Sequence, residues 1–400
     1  MNITRTDCRC CRGTSLTDVF DLGEQPLANA FLSPEQIDEP EPRYPVVLCE
    51  CADCGMIQLK HVVDASSMFS DYAFMTGISQ GMTAHFAELM RENIDWHVPP
   101  GGLVVEIGSN DGTALASIAR HDVRRLGIDP ASNLSAIARS RGVPAVARFF
   151  TEALAEQVVA IHGQASLIVA CNVLGHINDL DEVVRGVKAL LAPDGAFVIE
   201  VPNVDWMISK TEYDTIYHEH LSYFGVRSLA TLFARHEMRL MRVESHDVHG
   251  GSVRLTVRHG VGHSDKVAPW FVGEAIQRDW AGFRQRCEES RENLVGWLTR
   301  ARDEGRSVIG YGAPAKATVR LSYCGIGTDL LPLVVDSTPG KQGRLIPGTH
   351  QPIRDPSVIS ELMPDDVLIL AWNHKVEIQS KLSEYVSSGG RAATVIDTAT

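Results

Sequence analysis

Between residues 101 and about 260, short apolar runs alternate with amphipathic stretches. The runs at 103–107, 124–128, 144–149, 166–171 and 196–201 predict strands; the stretches near 113–120, 132–141, 152–161, 180–191 and 226–236 predict helices. Alternation of this kind gives a parallel sheet covered on both faces. Two further runs, 239–246 and 252–258, flank His249-Gly250-Gly251 and predict a closing hairpin. Residues 265–304 keep a helical pattern, with Trp270, Phe271, Trp280, Phe283 and Leu294 available for packing. From Ser307 a second strand–glycine–helix pattern begins.

The first strand of the middle region leads into its chemistry. Val104-Val105-Glu106-Ile107-Gly108-Ser109-Asn110-Asp111-Gly112 reads as a buried strand, a tight turn and a helix start. A side chain at either glycine is expected to block a ligand from the backbone. The spacing is G-x-x-x-G, not the G-x-G-x-x-G of dinucleotide folds. Ile128-Asp129 closes the next strand, and an acid there suits the vicinal hydroxyls of a ribose. Ligands in open α/β sheets bind at the carboxyl ends of the strands, where Asn110, Asp111, Asp129, Asn172, His176 and Asn203 fall. Phe149-Phe150 end another strand and are candidates to flank an aromatic base, with core packing as the alternative.

Six of the nine cysteines lie between positions 8 and 54. Cys8-x-x-Cys11 and Cys51-x-x-Cys54 form two knuckles that can wrap a tetrahedral Zn²⁺ with four thiolates. Cys10 and Cys49 are spare, so the register is not unique; the C-x-x-C pairing is the expected one. A closed four-thiolate site has no open position for catalysis, which makes the metal structural. Unligated thiols are the alternative. Neither pair sits in the strand–helix context of a redox motif.

A net charge of −13 argues against broad nucleic-acid binding. No apolar run approaches a membrane span and the start of the chain lacks a secretory core, so a cytoplasmic protein is expected.

The segment Tyr217-His218-Glu219-His220-Leu221-Ser222-Tyr223-Phe224 follows the strand that ends near Pro202. It offers a base, an orienting carboxylate and an electrophilic phenol. Metal binding by His218-x-His220 and a purely structural cluster are the rivals. Upstream, Tyr72, Phe74 and Thr76 lie with Gly77 and Gly81 before a helix pattern at 83–95. That aromatic loop either closes over a substrate or packs a lobe boundary. Near the end, Val308-Ile309-Gly310-Tyr311-Gly312-Ala313-Pro314-Ala315-Lys316 approximates G-x-G-x-x-A, with Asp336 at the ribose position and Ala371-Trp372-Asn373-His374 after a further strand. The unit can bind NAD, cradle another nucleotide's diphosphate through the helix start and Lys316, or be scaffold.

Glu106-x-Gly108-x-Asn110-x-Gly112 with Asp129 resembles the S-adenosylmethionine (SAM) site of class I methyltransferases. Together with the paired knuckles, Asn172-Val-Leu-Gly-His176, Tyr217-His-Glu-His220, His249-Gly-Gly251, Gly310-Tyr-Gly-Ala-Pro-Ala-Lys316 and Ala371-Trp-Asn-His374, it resembles the three-domain zinc-containing sugar C-methyltransferases over nearly the whole chain. Phe74 departs from that pattern, in a loop where a second tyrosine is often seen.

The resemblance implies an α/β fold: a class I, Rossmann-like methyltransferase core with an N-terminal zinc lobe and a C-terminal Rossmann-like domain. The corresponding boundaries are 1–75, 76–262, a helical connector at 263–304, and 305–400. It implies SAM and structural Zn²⁺ as cofactors and a dTDP-linked 4-keto-deoxysugar as substrate, methylated at C3. His220 is then the base, with Glu219, Tyr217, His176 and Tyr72 around it. SAM falls to Glu106, Gly108, Asn110, Asp111, Gly112, Asp129, Phe150 and Asn172. The sugar nucleotide falls to Tyr311, Gly312, Lys316, Asn373 and His374; zinc falls to Cys8, Cys11, Cys51 and Cys54. No nucleic-acid or membrane partner is expected, and a monomer is. Rival functions are O- or N-methyl transfer, an NAD-dependent oxidoreductase and a zinc-knuckle adaptor.

Overall fold

The computed structural model describes residues 3–64, 68, 76–248, 250–274 and 278–396. Tyr72, Phe74 and His249 lie outside the described residues. The chain forms two compact units, each assembled from three separate segments. The first takes Met1–Thr17, Cys49–Trp206 and Glu219–Arg278; the second takes Asp18–Leu48, Met207–His218 and Asp279–Thr400. These units cut across the contiguous boundaries drawn from sequence. The 263–304 stretch in particular divides at Arg278/Asp279, between a short helix Ala268–Gly273 and the long helix Trp280–Asp303.

The first unit is built on seven strands: β1 (Leu103–Ile107), β2 (Arg124–Asp129), β3 (Ala145–Ala147), β4 (Ala165–Cys171), β5 (Leu191–Pro202), β6 (Met238–His246) and β7 (Ser252–His259). Their order across the sheet is β6-β7-β5-β4-β1-β2-β3. β1 to β5 run parallel, and β7 inserts antiparallel between β5 and β6. The α/β class and the closing hairpin are as the apolar pattern predicts.

All five residues of β1 are buried, because helices cover both faces. The two-residue period decides which core each joins. Leu103, Val105 and Ile107 enter one core with Phe197, Leu229 and Phe233. Val104 enters the other with Leu89, Met90 and Ile94 of helix α1 (Gln80–His97). The helix after the glycine turn is shorter than the pattern suggests, Thr113–Ala116, because the Ser117 hydroxyl takes the Ala114 carbonyl at 2.6 Å. The cysteine lobe is continuous with the first core: Cys8, Cys10, Cys51, Cys54 and Met56 belong to it.

The second unit carries five parallel strands: β8 (Val308–Tyr311), β9 (Val334–Val335), β10 (Ile353–Arg354), β11 (Asp366–Ile369) and β12 (Arg391–Thr394), in the order β10-β9-β8-β11-β12. This is a doubly wound order, with its switch point between β8 and β11. The early segment packs into this unit through Phe20 on Phe283 (4.9 Å between centroids) and Ala28, whose carbonyl accepts from the Thr318 hydroxyl. Among the described residues, no helix is long and apolar enough to cross a membrane.

Candidate functional site

The four knuckle sulfurs lie within 4.8 Å of one another, with Cys8–Cys54 at 3.6 Å and Cys11–Cys51 at 3.5 Å. Four thiolates at about 2.3 Å from a tetrahedral Zn²⁺ sit about 3.8 Å apart. The group therefore fits zinc, and the C-x-x-C register is the one the fold adopts. The spare thiols are spent elsewhere: Cys10 on the Met56 sulfur at 3.4 Å, Cys49 on the Gln58 carbonyl at 3.5 Å. All four ligand positions are protein sulfur, which makes the site structural.

The turn after β1 places the SAM candidates. Gly108 and Gly112 both have left-handed backbone, φ +71° and +76°. A Cβ on Gly108 would meet Val173 Cγ2 at 2.2 Å, and one on Gly112 would meet Ala138 Cβ at 2.8 Å. Backbone and packing thus require glycine at both positions, in addition to the ligand clearance expected from sequence. The Asn110 amide donates to Asp129 Oδ2 at 2.9 Å and the Ala131 amide to Asp129 Oδ1 at 2.9 Å, so the acid at the end of β2 braces the turn.

Asp111 is fully buried. Its carboxylate accepts from the Thr113 hydroxyl, the Gly77 amide and the Arg141 guanidinium. That carboxylate holds the loop. Phe150 is a core residue whose ring occupies the space beside Gly186, where a Cβ would come within 2.9 Å. Its neighbour Phe149 is the exposed ring, at 48%.

Among the described residues, the buried polar atoms without a hydrogen-bond partner at this end of the sheet include two acceptors. Glu106 Oε2 and Asn172 Oδ1 are buried with no hydrogen-bond partner. Burial, then the nearby Asp129 and Asp111 charges, push the Glu106 carboxyl well above the usual range. A buried acceptor without a partner costs about 1–3 kcal/mol, and both atoms lie where open α/β sheets bind ligands. The turn and these two acceptors fit SAM.

Next to this turn, His176 and His220 meet edge to face, 4.9 Å between ring centroids, and Tyr223 lies 6.3 Å beyond His220. The two histidines come from separate turns that the backbone joins: the Leu221 amide donates to the Gly175 carbonyl at 2.7 Å. Burial lowers the His176 pKa to about 4, against smaller opposing effects from the Glu219 and Asn172 backbone, so its ring is neutral at physiological pH. Glu219 is buried, whereas His220 is partly exposed.

His218 is accounted for within the second unit. It is 1% exposed, its Nε2 contacts the Tyr44 carbonyl at 3.1 Å, and burial lowers its pKa to about 4. It does not join His220 in a metal site: the cysteine group is the one metal-ligating cluster among the described residues. Tyr217 is buried at 9%.

At the switch point of the second unit, Gly312 has φ +92° and a Cβ there would strike Ala371 at 2.7 Å. Asp336 repeats the bracing seen at Asp129, accepting from the Ala313 and Thr338 amides at 2.7 Å each. Lys316 Nζ and Asn373 Oδ1 are buried without hydrogen-bond partners, and the ammonium lies 4.3 Å from the centre of the Trp372 ring. Burial lowers the pKa of both Lys316 and His374 and raises that of Tyr311.

Sequence reasoning passed over Glu212 and Asp214, which face this lysine. Burial raises the Glu212 pKa to about 7, while Asp214 accepts from Arg320 and from the Trp372 indole at 2.8 Å. Their signal was two acids spaced by one residue just upstream of the histidine run. Also missed was Glu200 on β5. It is wholly buried and takes His85 at 2.7 Å and Arg254 at 2.9 Å; burial raises its pKa, but these partners outweigh it and hold the carboxyl below the usual range.

Three domain families match the chain: a zinc binding domain over residues 8–69, a methyltransferase domain over 82–241, and a C-methyltransferase C-terminal domain over 247–396. The C-methyltransferase NovU of Streptomyces niveus is 34% identical over 397 residues, covering 96% of this chain and 94% of that one. Among solved structures, a SAM-dependent methyltransferase from Anabaena variabilis is 15% identical and covers 45% of this chain and 86% of its own, with a TM-score of 0.36. The magnesium protoporphyrin IX methyltransferase of Synechocystis, solved with bound SAM, is 12% identical over 45% of this chain and 80% of its own, with a TM-score of 0.35.

Proposed function

The chain belongs to the zinc-containing, SAM-dependent C-methyltransferases, and from that premise we propose that it methylates C3 of a dTDP-linked 4-keto-deoxysugar, with His220 as the base. The supporting observation is the paired imidazoles, partly exposed and edge to face, with His176 held neutral beside His220. A ketone at C4 makes the C3 proton removable, because the charge left behind spreads onto oxygen. His220 takes that proton on an imidazole nitrogen and later releases it to water. Glu219 orients His220 or holds a substrate hydroxyl. Tyr217 donates to the enolate oxygen, where one placed donor is worth about 3 kcal/mol, and Tyr72 belongs to the same set.

The resemblance also sets His176 beside His220. The opposing influence of the Asn172 and Glu219 backbone on its ring supports a part for it in fixing the turn that carries His220. Glu106, Asn110, Asp129 and Asn172 hold SAM, which when bound supplies the electrophilic methyl group taken by the substrate carbon. Tyr311, Gly312, Lys316, Asn373 and His374 hold the nucleotide diphosphate. Support for that part is the Lys316 ammonium, buried without a hydrogen-bond partner at the start of helix Ala315–Cys324, a setting suited to phosphate.

The test is His220→Ala. Turnover falls by about 10²–10⁴, SAM affinity stays within twofold, and exchange of the substrate C3 hydrogen with deuterated water is lost. Near-normal turnover removes His220 as the base. NMR of the product separates methyl on carbon from methyl on oxygen or nitrogen.

A further inference from the structure

Arg9 sits between two zinc ligands, in Cys8-Arg9-Cys10-Cys11, and is 0% exposed. Among the described residues no carboxylate is ion-paired with it, and its Nη2 is buried without a partner. A guanidinium keeps its charge in a protein interior. A buried charge of this kind is poor for stability, and apolar replacement of such groups is often neutral or favourable. Its contacts show where it acts. Nη1 donates to the Leu59 carbonyl at 2.8 Å, Nε to Asn178 Oδ1 at 3.3 Å, and its backbone amide to Gln58 Oε1 at 2.8 Å.

Those partners lead to the two histidine-bearing turns. Asn178 follows His176 by two residues. Leu59 donates through its amide to the Leu221 carbonyl at 3.0 Å, one residue after His220, and Gln58 and Leu59 belong to the strand Ile57–Leu59 that pairs with Ser222-Tyr223. The same knuckle reinforces the first link: Arg5 reaches Asn178 at 3.3 Å, and Arg12 reaches Asp179 and Asp181 at 3.0 and 2.7 Å. Within the first unit, one residue of the zinc knuckle therefore reaches, through its guanidinium, the segment after His176 and the strand that anchors the segment after His220.

We infer that Arg9 is a positioning residue of the methyl-transfer reaction, coupling the zinc knuckle to the spacing of His176 and His220. The inference rests on the reading of His220 as the base. Zinc fixes the knuckle, the knuckle fixes Arg9, and Arg9 holds the two turns in register. A displacement of about 1 Å at a reacting group can cost about 100-fold in rate, so the link needs to shift the rings only slightly to be felt.

Arg9→Met and Asn178→Ala, in the full-length zinc-loaded chain, test this. The readouts are zinc per chain, SAM affinity, histidine side-chain ¹H–¹⁵N spectra, and kcat and KM on a dTDP-4-keto-deoxysugar. Both variants keep one zinc and bind SAM within twofold of the parent. Their His176 and His220 signals shift, and kcat falls tenfold to 100-fold with KM little changed. Arg9→Lys, which can still reach the Leu59 carbonyl, recovers part of the rate. Asn178→Ala leaves Arg9 in place and carries the test alone if Arg9→Met does not fold. Unmoved imidazole signals, or moved signals with an unchanged kcat, in folded zinc-loaded variants overturn the inference. If His220→Ala turns over normally while the Arg9 variants still shift both rings and lose rate, the assignment of the base fails and the positioning role of Arg9 is upheld.

Discussion

Replacing Gly108 by alanine isolates what the first glycine of the β1 turn is for. At φ +71° an alanine adopts the left-handed region at a cost of about 1–2 kcal/mol. Its methyl also lands 2.2 Å from Val173 Cγ2, an overlap that must push side chain or backbone aside for about 1–3 kcal/mol more. Gly108→Ala should therefore destabilise the chain by about 2–5 kcal/mol in urea unfolding. Val173→Ala removes both γ-carbons and leaves the nearest remaining atom, Cβ, at 3.4 Å. In that background Gly108→Ala should cost only the backbone part. The double-mutant cycle over the four chains then returns a favourable coupling of about 1–3 kcal/mol. SAM titration calorimetry on the same chains separates the alternative: a glycine kept for ligand clearance loses SAM affinity equally in both backgrounds. Equal destabilisation with valine or alanine at 173 would refute the packing account.

Two further predictions rest on the zinc knuckles and on a buried histidine. Cys51→Ser should bring zinc from one per chain toward none by plasma emission and lower the melting temperature steeply, since structural zinc sites contribute on the order of 10 kcal/mol to folding; Cys10→Ser and Cys49→Ser should keep their zinc, and loss of metal from either would mean the register is wrong. His218 has its folded pKa lowered to about 4 from 6.5. Between those values the unfolded chain binds more protons than the folded one, so the stability His218 contributes is present above pH 6.5 and is lost as pH falls toward 4. The loss is about 3 kcal/mol. His218→Gln, which keeps a donor for the Tyr44 carbonyl, should flatten the acid limb of stability against pH by that amount, and an unchanged limb would exclude His218 as its source.

The features legible in the sequence were those that local chemistry fixes. Strands buried on both faces read as apolar runs, so β1 and β4 stood out, and the knuckles announced themselves by spacing. What escaped notice depended on partners distant in the chain. Nothing near Asp111 says that Gly77 and Arg141 will consume its carboxylate. Nothing near Phe150 says that Gly186 will leave room for its ring. Glu200 and Arg254 look like misplaced charges in strands until β5 and β7 pair in register and set them side by side. Arg9 reads as one more basic residue beside a cysteine. The interleaved segments of the two units were invisible for the same reason, because composition does not change at Thr17, Leu48 or Trp206.

That interleaving constrains anyone who would recombine this protein. The chain changes unit five times, at 17/18, 48/49, 206/207, 218/219 and 278/279. Severing it at 278/279 would hand the carboxyl-terminal portion its five strands but strand Asp18–Leu48 and Met207–His218 with the wrong fragment. Phe283 would lose Phe20, and Arg320 would lose Asp214, each left facing solvent with a buried side chain's preferences. A chimera that borrows acceptor preference from a relative must therefore transplant three pieces together, and a graft of the last 120 or so residues alone should yield insoluble material.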